Sequence, residues 1–166
     1  MKILFITSTR VGDAILSLGL LDHLIAENPG AEITVACGPA AASLFAAAPG
    51  LERIIVLDKM VFSLHWPRLW ALCVGRYWDI VVDLRKSPMY YLLAARQRFR
   101  LGKGDKDRHR IRQLADVLGL GDKPPSPRLW LTPALEQRAA ELIGATYECL
   151  EFRDLSIVID NDAKRR

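Results

Sequence analysis

The chain has 166 residues, of which 51% are hydrophobic and 25% are charged, and its formal net charge is +4. These values fit one ordinary globular domain and exclude disordered, collagen-like and disulfide-scaffold compositions. Three widely spaced cysteines, Cys37, Cys73 and Cys149, favour buried free thiols of a reducing compartment over a metal site or a disulfide framework. No stretch has the length of a signal-peptide core or a membrane span. We therefore expect a cytoplasmic protein with no metal and no cofactor.

Strand and helix patterns alternate along the chain from its first residues. Apolar runs predict strands at 2–8, 32–38, 53–57, 79–84 and, as an edge strand rich in arginine, 97–101. Helical patterns lie at 13–25, 39–48, 62–77, 88–95, 108–118 and 132–143. Strands that alternate with helices at this spacing form a parallel sheet with right-handed crossovers. We therefore predict an α/β fold, a Rossmann-like parallel sheet with helices on both faces, over residues 1–143.

Residues 144–166 differ from the preceding part of the chain. Apolar residues occur between 148 and 159, with a candidate last strand at 155–159, but residues 160–166 are polar and highly charged. We predict an atypical tail here, separate from the Rossmann-like domain.

The turn after the first strand, residues 9–13, is the first candidate for chemistry. Ligands of open α/β sheets bind beyond the carboxyl ends of the strands, and the N–H groups at a helix N-terminus attract anions. Gly12 would let a ligand come close, and Asp13 places a carboxylate at the same edge. Asp13 is either the N-cap of the helix or a general base, and spacing alone favours the cap. The turn has neither a dinucleotide fingerprint nor a P-loop sequence.

Basic residues follow later strands. Arg85 and Lys86 follow Asp83 and Leu84 at the end of the fourth strand. They would bind phosphate or sugar hydroxyls, or simply pair with neighbouring loops. Position alone favours neither reading. Basic residues are also concentrated over 96–112, and the part from 103 to 112 includes His109. A basic patch of this kind suits a phosphate-bearing ligand, an anionic membrane surface or nucleic acid, and is more often a solvated face.

The aromatic stretch 66–78 carries three tryptophans. Aromatic residues at helical spacing are more often core-facing than membrane-facing. We therefore keep peripheral contact with the inner membrane as the second interpretation of this stretch.

Four segments, taken in order, resemble glycosyltransferase family 9, the ADP-heptose:lipopolysaccharide heptosyltransferases and their relatives. These segments are RVGDAILS at 10–17, PGAEITV at 29–35, PGLERII at 49–55 and WDIVVDLR at 78–85. The resemblance covers residues 1–143, and the ordered set is far more specific than any single motif.

The resemblance implies a GT-B fold, in which two Rossmann-like domains face each other across a cleft. The N-terminal domain of this family holds the lipopolysaccharide acceptor, and the C-terminal domain holds the nucleotide-sugar donor. Asp13 matches the family's catalytic aspartate, the general base of an inverting transfer. The positions expected to bind the phosphorylated acceptor are Arg10, Gly12, Arg85, Lys86, Arg108 and Arg110.

The resemblance stops where the family continues into its donor domain, because residues 144–166 do not look like the start of one. We therefore expect the donor domain to be absent and the chain to be inactive alone. It would bind a lipid A or lipopolysaccharide-core acceptor, would meet ADP-heptose only if a donor domain is supplied, and would not bind nucleic acid. The alternatives are one chain of a split enzyme and a non-enzymatic α/β binding module.

Overall fold

The computed structural model describes residues 1–58, 65–102, 109–121 and 123–143, which fall in two compact units, Met1–Trp130 and Leu131–Arg166. The first unit contains one sheet of five parallel strands in the order β3-β2-β1-β4-β5. The strands are β1 (Lys2–Ile6), β2 (Glu32–Cys37), β3 (Leu51–Val56), β4 (Trp78–Asp83) and β5 (Ala95–Arg100). The predicted parallel α/β sheet is therefore confirmed, with β5 at an edge.

Helices connect and follow these strands. They are α1 (Val11–Glu27), α2 (Ala42–Phe45), α3 (His65–Cys73), α4 (Met89–Leu92), α5 (Arg110–Ala115) and α6 (Pro133–Ile143). A 3₁₀ turn at Pro39–Ala41 precedes α2, and another at Asp116–Leu118 follows α5. The described part of the second unit consists of α6 and the two residues before it, where the Leu135 N–H donates to the Thr132 hydroxyl at 3.3 Å. This bond confirms Thr132 as the expected capping residue.

Two apolar layers cover the two faces of the sheet, because side chains alternate along each strand. Ile3 and Phe5 of β1 are buried under α1 and α5, while Leu4 and Ile6 are buried under α3 and α4. Both faces of β1 are fully buried, which explains why its sequence is an unbroken apolar run. The predicted helices on both faces are thereby confirmed.

Some predicted helix bounds were wrong. The helix expected over 88–95 ends at Leu92, because the backbone of Leu93 is already extended and Ala95 begins β5. The helix expected over 39–48 is a 3₁₀ turn followed by the short α2. The expected start of a helix at 62, the cluster 103–108 and the tail 144–166 lie outside the described residues, and the predicted domain boundary at 143 stays a prediction.

Both cysteines in the described part of the chain are buried and free. Burial raises the pKa of the Cys37 thiol and of the Cys73 thiol to about 11, so both are neutral and unreactive near pH 7. This agrees with the expected buried free thiols at these two positions, and Cys149 lies outside the described residues.

One glycine allows α1 to approach the connector that follows α5. A Cβ atom at Gly19 would lie 2.7 Å from the backbone oxygen of Ser126 and closer still to that of Pro125. A Cβ atom at Gly12, in the same helix, would meet no atom within 4 Å. The packing of the connector on α1 therefore requires glycine at position 19 and not at position 12.

We expect Gly19→Ala to lower the free energy of unfolding by about 1–3 kcal/mol, because the backbone of the connector must move. Gly12→Ala is the matched control, and it should raise stability by about 0.5–1 kcal/mol through helix propensity alone. Urea denaturation of the two variants and the wild type measures both effects. Equal stability of the two variants would contradict the close packing at Gly19.

Candidate functional site

The candidate site lies where the strand order of the sheet reverses. From β1 the chain proceeds to β2 and β3 on one side, whereas β4 and β5 lie on the other. Ile6 and Asp83, the last residues of β1 and β4, are register partners, and the Leu84 N–H donates to the Ile6 carbonyl at 2.9 Å. Ligands of open α/β sheets bind in the crevice above such a switch point. The loops after β1 and β4 carry the residues singled out from the sequence.

Asp13 is not the N-cap of α1, so that interpretation was wrong. The N-cap is Arg10, whose carbonyl accepts the first helical hydrogen bond from the Ala14 N–H at 3.1 Å, and no side chain caps this helix. Asp13 is the third helical residue, and its side chain is 37% exposed. A carboxylate in the first turn still faces the positive end of the helix dipole. Its side chain therefore remains accessible to solvent.

Hydroxyl groups hold the turn that carries Asp13. Ser17 donates to the Ala14 carbonyl at 2.7 Å, so Thr7 is the donor in the 2.8 Å bond between the buried Thr7 and Ser17 hydroxyls. Ser8 accepts from the Arg10 N–H at 3.1 Å and directs its own hydroxyl toward Asp13 at 3.5 Å. The end of β1 and the first turn of α1 are thus fixed to each other.

Arg110 of α5 faces Asp13 across the packed α1 and α5 helices. Its Nε lies 3.9 Å from Oδ1 of Asp13, and its side chain is 39% exposed. At that distance and exposure the pair contributes little to stability. The structure therefore places Arg110 beside the predicted base, where it neutralises part of the local negative charge.

The carboxylate of Asp83 organises the loop after β4. It is fully buried and accepts from the Arg85 N–H at 2.9 Å, the Ser87 N–H at 2.6 Å and the Ser87 hydroxyl at 3.0 Å. Burial raises the pKa of Asp83, and these three hydrogen bonds oppose the rise. Asp83 thus fixes the loop, which agrees with the structural reading of this aspartate.

Lys86 lies between the two backbone groups that Asp83 binds, and its φ is 56°, in the left-handed region. A non-glycine residue in this region costs energy and persists only where its surroundings impose the conformation. Asp83 fixes the residues on either side, and Arg100 donates to the Lys86 carbonyl at 3.1 Å. The backbone of Lys86 is consequently held in one conformation at the carboxyl edge, and its side chain is exposed there.

Arg85 stacks on an aromatic ring. Its guanidinium carbon lies 4.9 Å from the centre of the Trp66 ring, and Nη1 is buried with no hydrogen-bond partner in the described part of the chain. Burial lowers the pKa of Arg85, and Asp83 opposes this, but the guanidinium stays charged at pH 7. Burial and Arg85 together lower the pKa of His65, so this imidazole is neutral at pH 7. Arg85 therefore offers a partly desolvated N–H donor to an anion.

Arg100, at the end of β5, completes the group. It lies 5.6 Å from the ring centre of Tyr90 and 5.3 Å from that of Tyr91, and it donates to the Tyr91 hydroxyl at 2.8 Å. Its Nε is buried without a partner among the described residues. Arg100 and Lys86 line an open cavity of about 310 Å³ together with Leu101 and Gly102. A cationic cavity of this size suits a phosphate group.

The structure places the predicted site residues as follows. Arg10 and Gly12 are exposed at the start of α1, Arg85 and Lys86 follow β4, Arg110 pairs with Asp13, and Arg108 lies outside the described residues. His109 is the N-cap of α5, where its Nδ1 accepts from the Ile111 N–H at 3.4 Å, so it has a structural role.

Sequence reasoning missed Arg100, Trp66 and Ser8 as parts of the site. The signals for Arg100 were the arginine-rich edge strand and the basic patch over 96–112.

The residues that the structure describes contain no group of three His, Cys, Asp or Glu side chains able to hold a metal ion. Within the same residues, the helices are too short or too polar to cross a membrane.

We expect Asp83→Asn to lower the free energy of unfolding by about 1–3 kcal/mol, because an amide cannot accept from all three donors. Because the pKa of Asp83 is raised in the folded chain, folding favours its protonated form, so the wild type loses part of its stability as the pH rises from about 3.9 through the raised pKa. Asparagine does not titrate, so the difference in free energy of unfolding between wild type and variant should narrow as the pH increases.

Asp79→Asn is the control on the same strand, because the single 2.7 Å bond from the Lys2 N–H to Asp79 can be kept by an amide oxygen. Urea unfolding at several pH values measures both variants. If Asp83→Asn lowers the free energy of unfolding no more than Asp79→Asn does, Asp83 does not fix the loop.

No protein-family model matches the sequence, and neither does any curated protein. Solved structures do match. A family 9 glycosyltransferase from Veillonella parvula gives a TM-score of 0.58 at 19% identity, covering 87% of this chain and 50% of that one. E. coli ADP-heptose lipopolysaccharide heptosyltransferase II gives a TM-score of 0.56 at 20% identity, covering 87% of this chain and 51% of that one. E. coli heptosyltransferase WaaC with ADP gives a TM-score of 0.53 at 14% identity, covering 82% of this chain and 52% of that one.

The chain thus spans about half the length of the solved structures it matches. At these identities the likeness establishes the fold. The resemblance to glycosyltransferase family 9 is confirmed at that level, and the chain shares with these enzymes the Rossmann-like half of a GT-B architecture.

Proposed function

We propose that this chain is the acceptor-side domain of a family 9 glycosyltransferase of the heptosyltransferase kind, acting in lipopolysaccharide core biosynthesis. The observation that carries the proposal is the pairing of the ends of β1 and β4, at Ile6 and Asp83. The loop after β1 leads to the half-exposed carboxylate of Asp13, and the loop after β4 carries the cations Arg85 and Lys86. The resemblance in sequence and the shared fold support the same assignment.

In the proposed reaction, Asp13 is the general base. The acceptor hydroxyl gives its proton to the Asp13 carboxylate while its oxygen forms a bond to the anomeric carbon of the donor sugar. The bond from that carbon to the nucleoside diphosphate breaks, and the electron pair leaves with the phosphate. The configuration at the anomeric carbon is inverted. General-base assistance of this kind contributes about 10²–10⁴-fold to a rate.

The cations at the crevice are proposed to bind phosphate groups of the acceptor. Arg85 and Arg100 each have a buried guanidinium nitrogen without a partner among the described residues, and Lys86 is held in an imposed conformation beside them. Stacking on Trp66 or on the tyrosines limits how far the guanidinium groups can move. Arg10, Gly12, Arg108 and Arg110 belong to the same proposed surface.

The donor, ADP-heptose, is proposed to bind to a second domain that residues 1–143 do not supply. The 166-residue chain alone should therefore bind the acceptor without transferring sugar to it. Because the proposed acceptor is lipid-linked, the proposal includes peripheral contact with the inner membrane.

We expect Asp13→Asn to lower the rate of sugar transfer by about 10²–10⁴-fold, because the amide cannot accept the acceptor proton. Transfer is measured with ADP-heptose, a lipid A–core acceptor and a donor-binding domain added to the chain. Asp22→Asn is the control on the same helix, since Asp22 lies about two and a half turns away and pairs with Arg128 at 3.7 Å. If Asp13→Asn alters stability alone and leaves transfer intact, Asp13 is not the general base.

We expect the chain to bind a deacylated, phosphorylated core acceptor in calorimetry and to show negligible affinity for ADP-heptose. Arg85→Gln and Lys86→Gln should each weaken acceptor binding about tenfold or more, because each removes a charge-assisted hydrogen bond to phosphate. A dephosphorylated acceptor should bind to the variants and to the wild type with equal affinity.

The control is Arg96→Gln, at the opposite end of β5 from Arg100. It should leave acceptor affinity unchanged. Tight binding of ADP-heptose without binding of the acceptor would overturn the assignment of this chain to the acceptor side.

A further inference from the structure

Arg110 is the first residue of α5, where the helix itself gains nothing from a cation. The N-terminus of a helix is the positive end of the helix dipole, so a cation in the first turn is unfavourable. The first turn of α5 contains no acidic residue that would compensate it. Local helix stability therefore does not favour an arginine at this position, whereas its contact with α1 does.

The packing of α5 on α1 directs Arg110 toward the first turn of α1. Leu114 of α5 is buried in the same apolar cluster as Ala14 of α1. Leu114 follows Arg110 by four residues, so the two side chains lie on the same face of α5. Asp13 directly precedes Ala14 in the chain. The apolar contact between the helices thus brings the two charged side chains together.

Arg110 and Ser8 approach the two oxygens of the Asp13 carboxylate from different elements. Nε of Arg110 lies 3.9 Å from Oδ1, and the Ser8 hydroxyl lies 3.5 Å from Oδ2. Nη1 of Arg110 also donates to Oε1 of Gln113 at 3.2 Å. The Ser8 hydroxyl also accepts from the Arg10 N–H at 3.1 Å. One carboxylate oxygen therefore faces α5 and the other faces the loop after β1, which restricts the rotamers that Asp13 can adopt.

These contacts of Asp13 are long, and their effect on stability differs from their effect on a reaction. A half-exposed ion pair at this distance contributes little to the free energy of unfolding. A general base must lie within hydrogen-bond distance of the proton it accepts, and a displacement of about 1 Å lowers a rate by about 10²-fold. Such contacts are often long before the substrate binds and shorten in the complex. The orientation of Asp13 therefore matters more for the rate of transfer than for stability.

We infer that Arg110 is a positioning residue, which keeps the Asp13 carboxylate in the orientation that accepts the acceptor proton, while Ser8 holds the second oxygen. This refines the place of Arg110 on the proposed acceptor surface, because its contact there goes to the base. Binding of an acceptor phosphate by Arg110 is the competing role, and it predicts a loss of affinity instead of a loss of turnover. The catalytic consequence rests on the proposed function, whereas the orientation of Asp13 does not.

The orientation of Asp13 is tested by NMR on the full 166-residue chain without acceptor or donor. Three-bond couplings between Hα and the two Hβ atoms of Asp13 report its χ1 torsion. The wild type should show a single staggered rotamer, and Arg110→Gln should show averaging over two or more. Arg110→Lys should stay close to the wild type, because the contact to Asp13 uses one nitrogen and lysine keeps the charge.

Arg112→Gln is the matched control, since Arg112 is exposed on the same helix two residues later. Residues two apart do not face the same neighbour on a helix, so this variant should leave the Asp13 couplings unchanged. Arg110→Gln removes a cation from the first turn of α5, so it should not lower the melting temperature. Thermal unfolding of both variants therefore separates a change in orientation from a loss of folding.

The consequence for the reaction is measured in the same transfer assay as Asp13→Asn, with the donor-binding domain added. Arg110→Gln should lower kcat about tenfold, because the base is displaced from the acceptor hydroxyl. KM for the acceptor and its Kd in calorimetry should stay unchanged, because the phosphate ligands are intact. Arg110→Lys should restore most of the turnover, and Arg112→Gln should behave like the wild type.

The inference is overturned if Asp13 keeps one rotamer in Arg110→Gln, if the wild type is itself averaged, or if Arg112→Gln changes the couplings equally. It is also overturned if Arg110→Gln weakens acceptor binding and leaves kcat unchanged, since Arg110 is then a phosphate ligand. The NMR experiment requires neither binding nor transfer, so it decides the orientation of Asp13 even if the proposed function fails. Unchanged couplings, conversely, leave the proposed role of Asp13 as the base standing.

Discussion

The arrangement of the site depends on one buried carboxylate at the end of β4. Asp83 is the register partner of both Ile6 in β1 and Arg100 in β5, so it lies where three strands end together. A buried carboxylate is costly unless hydrogen bonds compensate it, and the loop from Arg85 to Ser87 supplies three. To form these bonds the loop bends, which places Lys86 in the left-handed conformation and Arg85 against the Trp66 ring.

The strands and the order of the elements could be predicted from sequence because their cause is local. The fully apolar middles of β1 and β4 indicate burial on both faces, and the arginines of β5 indicate an edge. The hydrogen bond between the Thr7 and Ser17 hydroxyls could not be predicted from the sequence, because it depends on how α1 packs against β1. Arg100 was missed for the same reason: its contacts with Tyr91 and with the Lys86 carbonyl arise from strand pairing, which spacing along the chain does not show.

Asp13 shows how a local rule can assign a capping role that the structure does not bear out. Aspartate before an apolar helical pattern is a common N-cap, yet α1 begins two residues earlier, at Val11. A capping carboxylate would be bound by helix N–H groups and turned away from the crevice. Inside the first turn, Asp13 instead has a long contact from Ser8 and a distant partner in Arg110. Removing the capping role therefore frees the carboxylate for the proposed transfer.

The loops after β4 and β5 are joined to the layer of α3 and α4 through two arginines. Trp66 of α3 packs against the core and carries Arg85 on its ring. Arg100 similarly joins the cavity beside Lys86 to Tyr91. An acceptor phosphate that meets Arg85 or Arg100 would thus meet cations whose positions other side chains already fix. Such cations lose less conformational freedom on binding, which favours affinity for the phosphate.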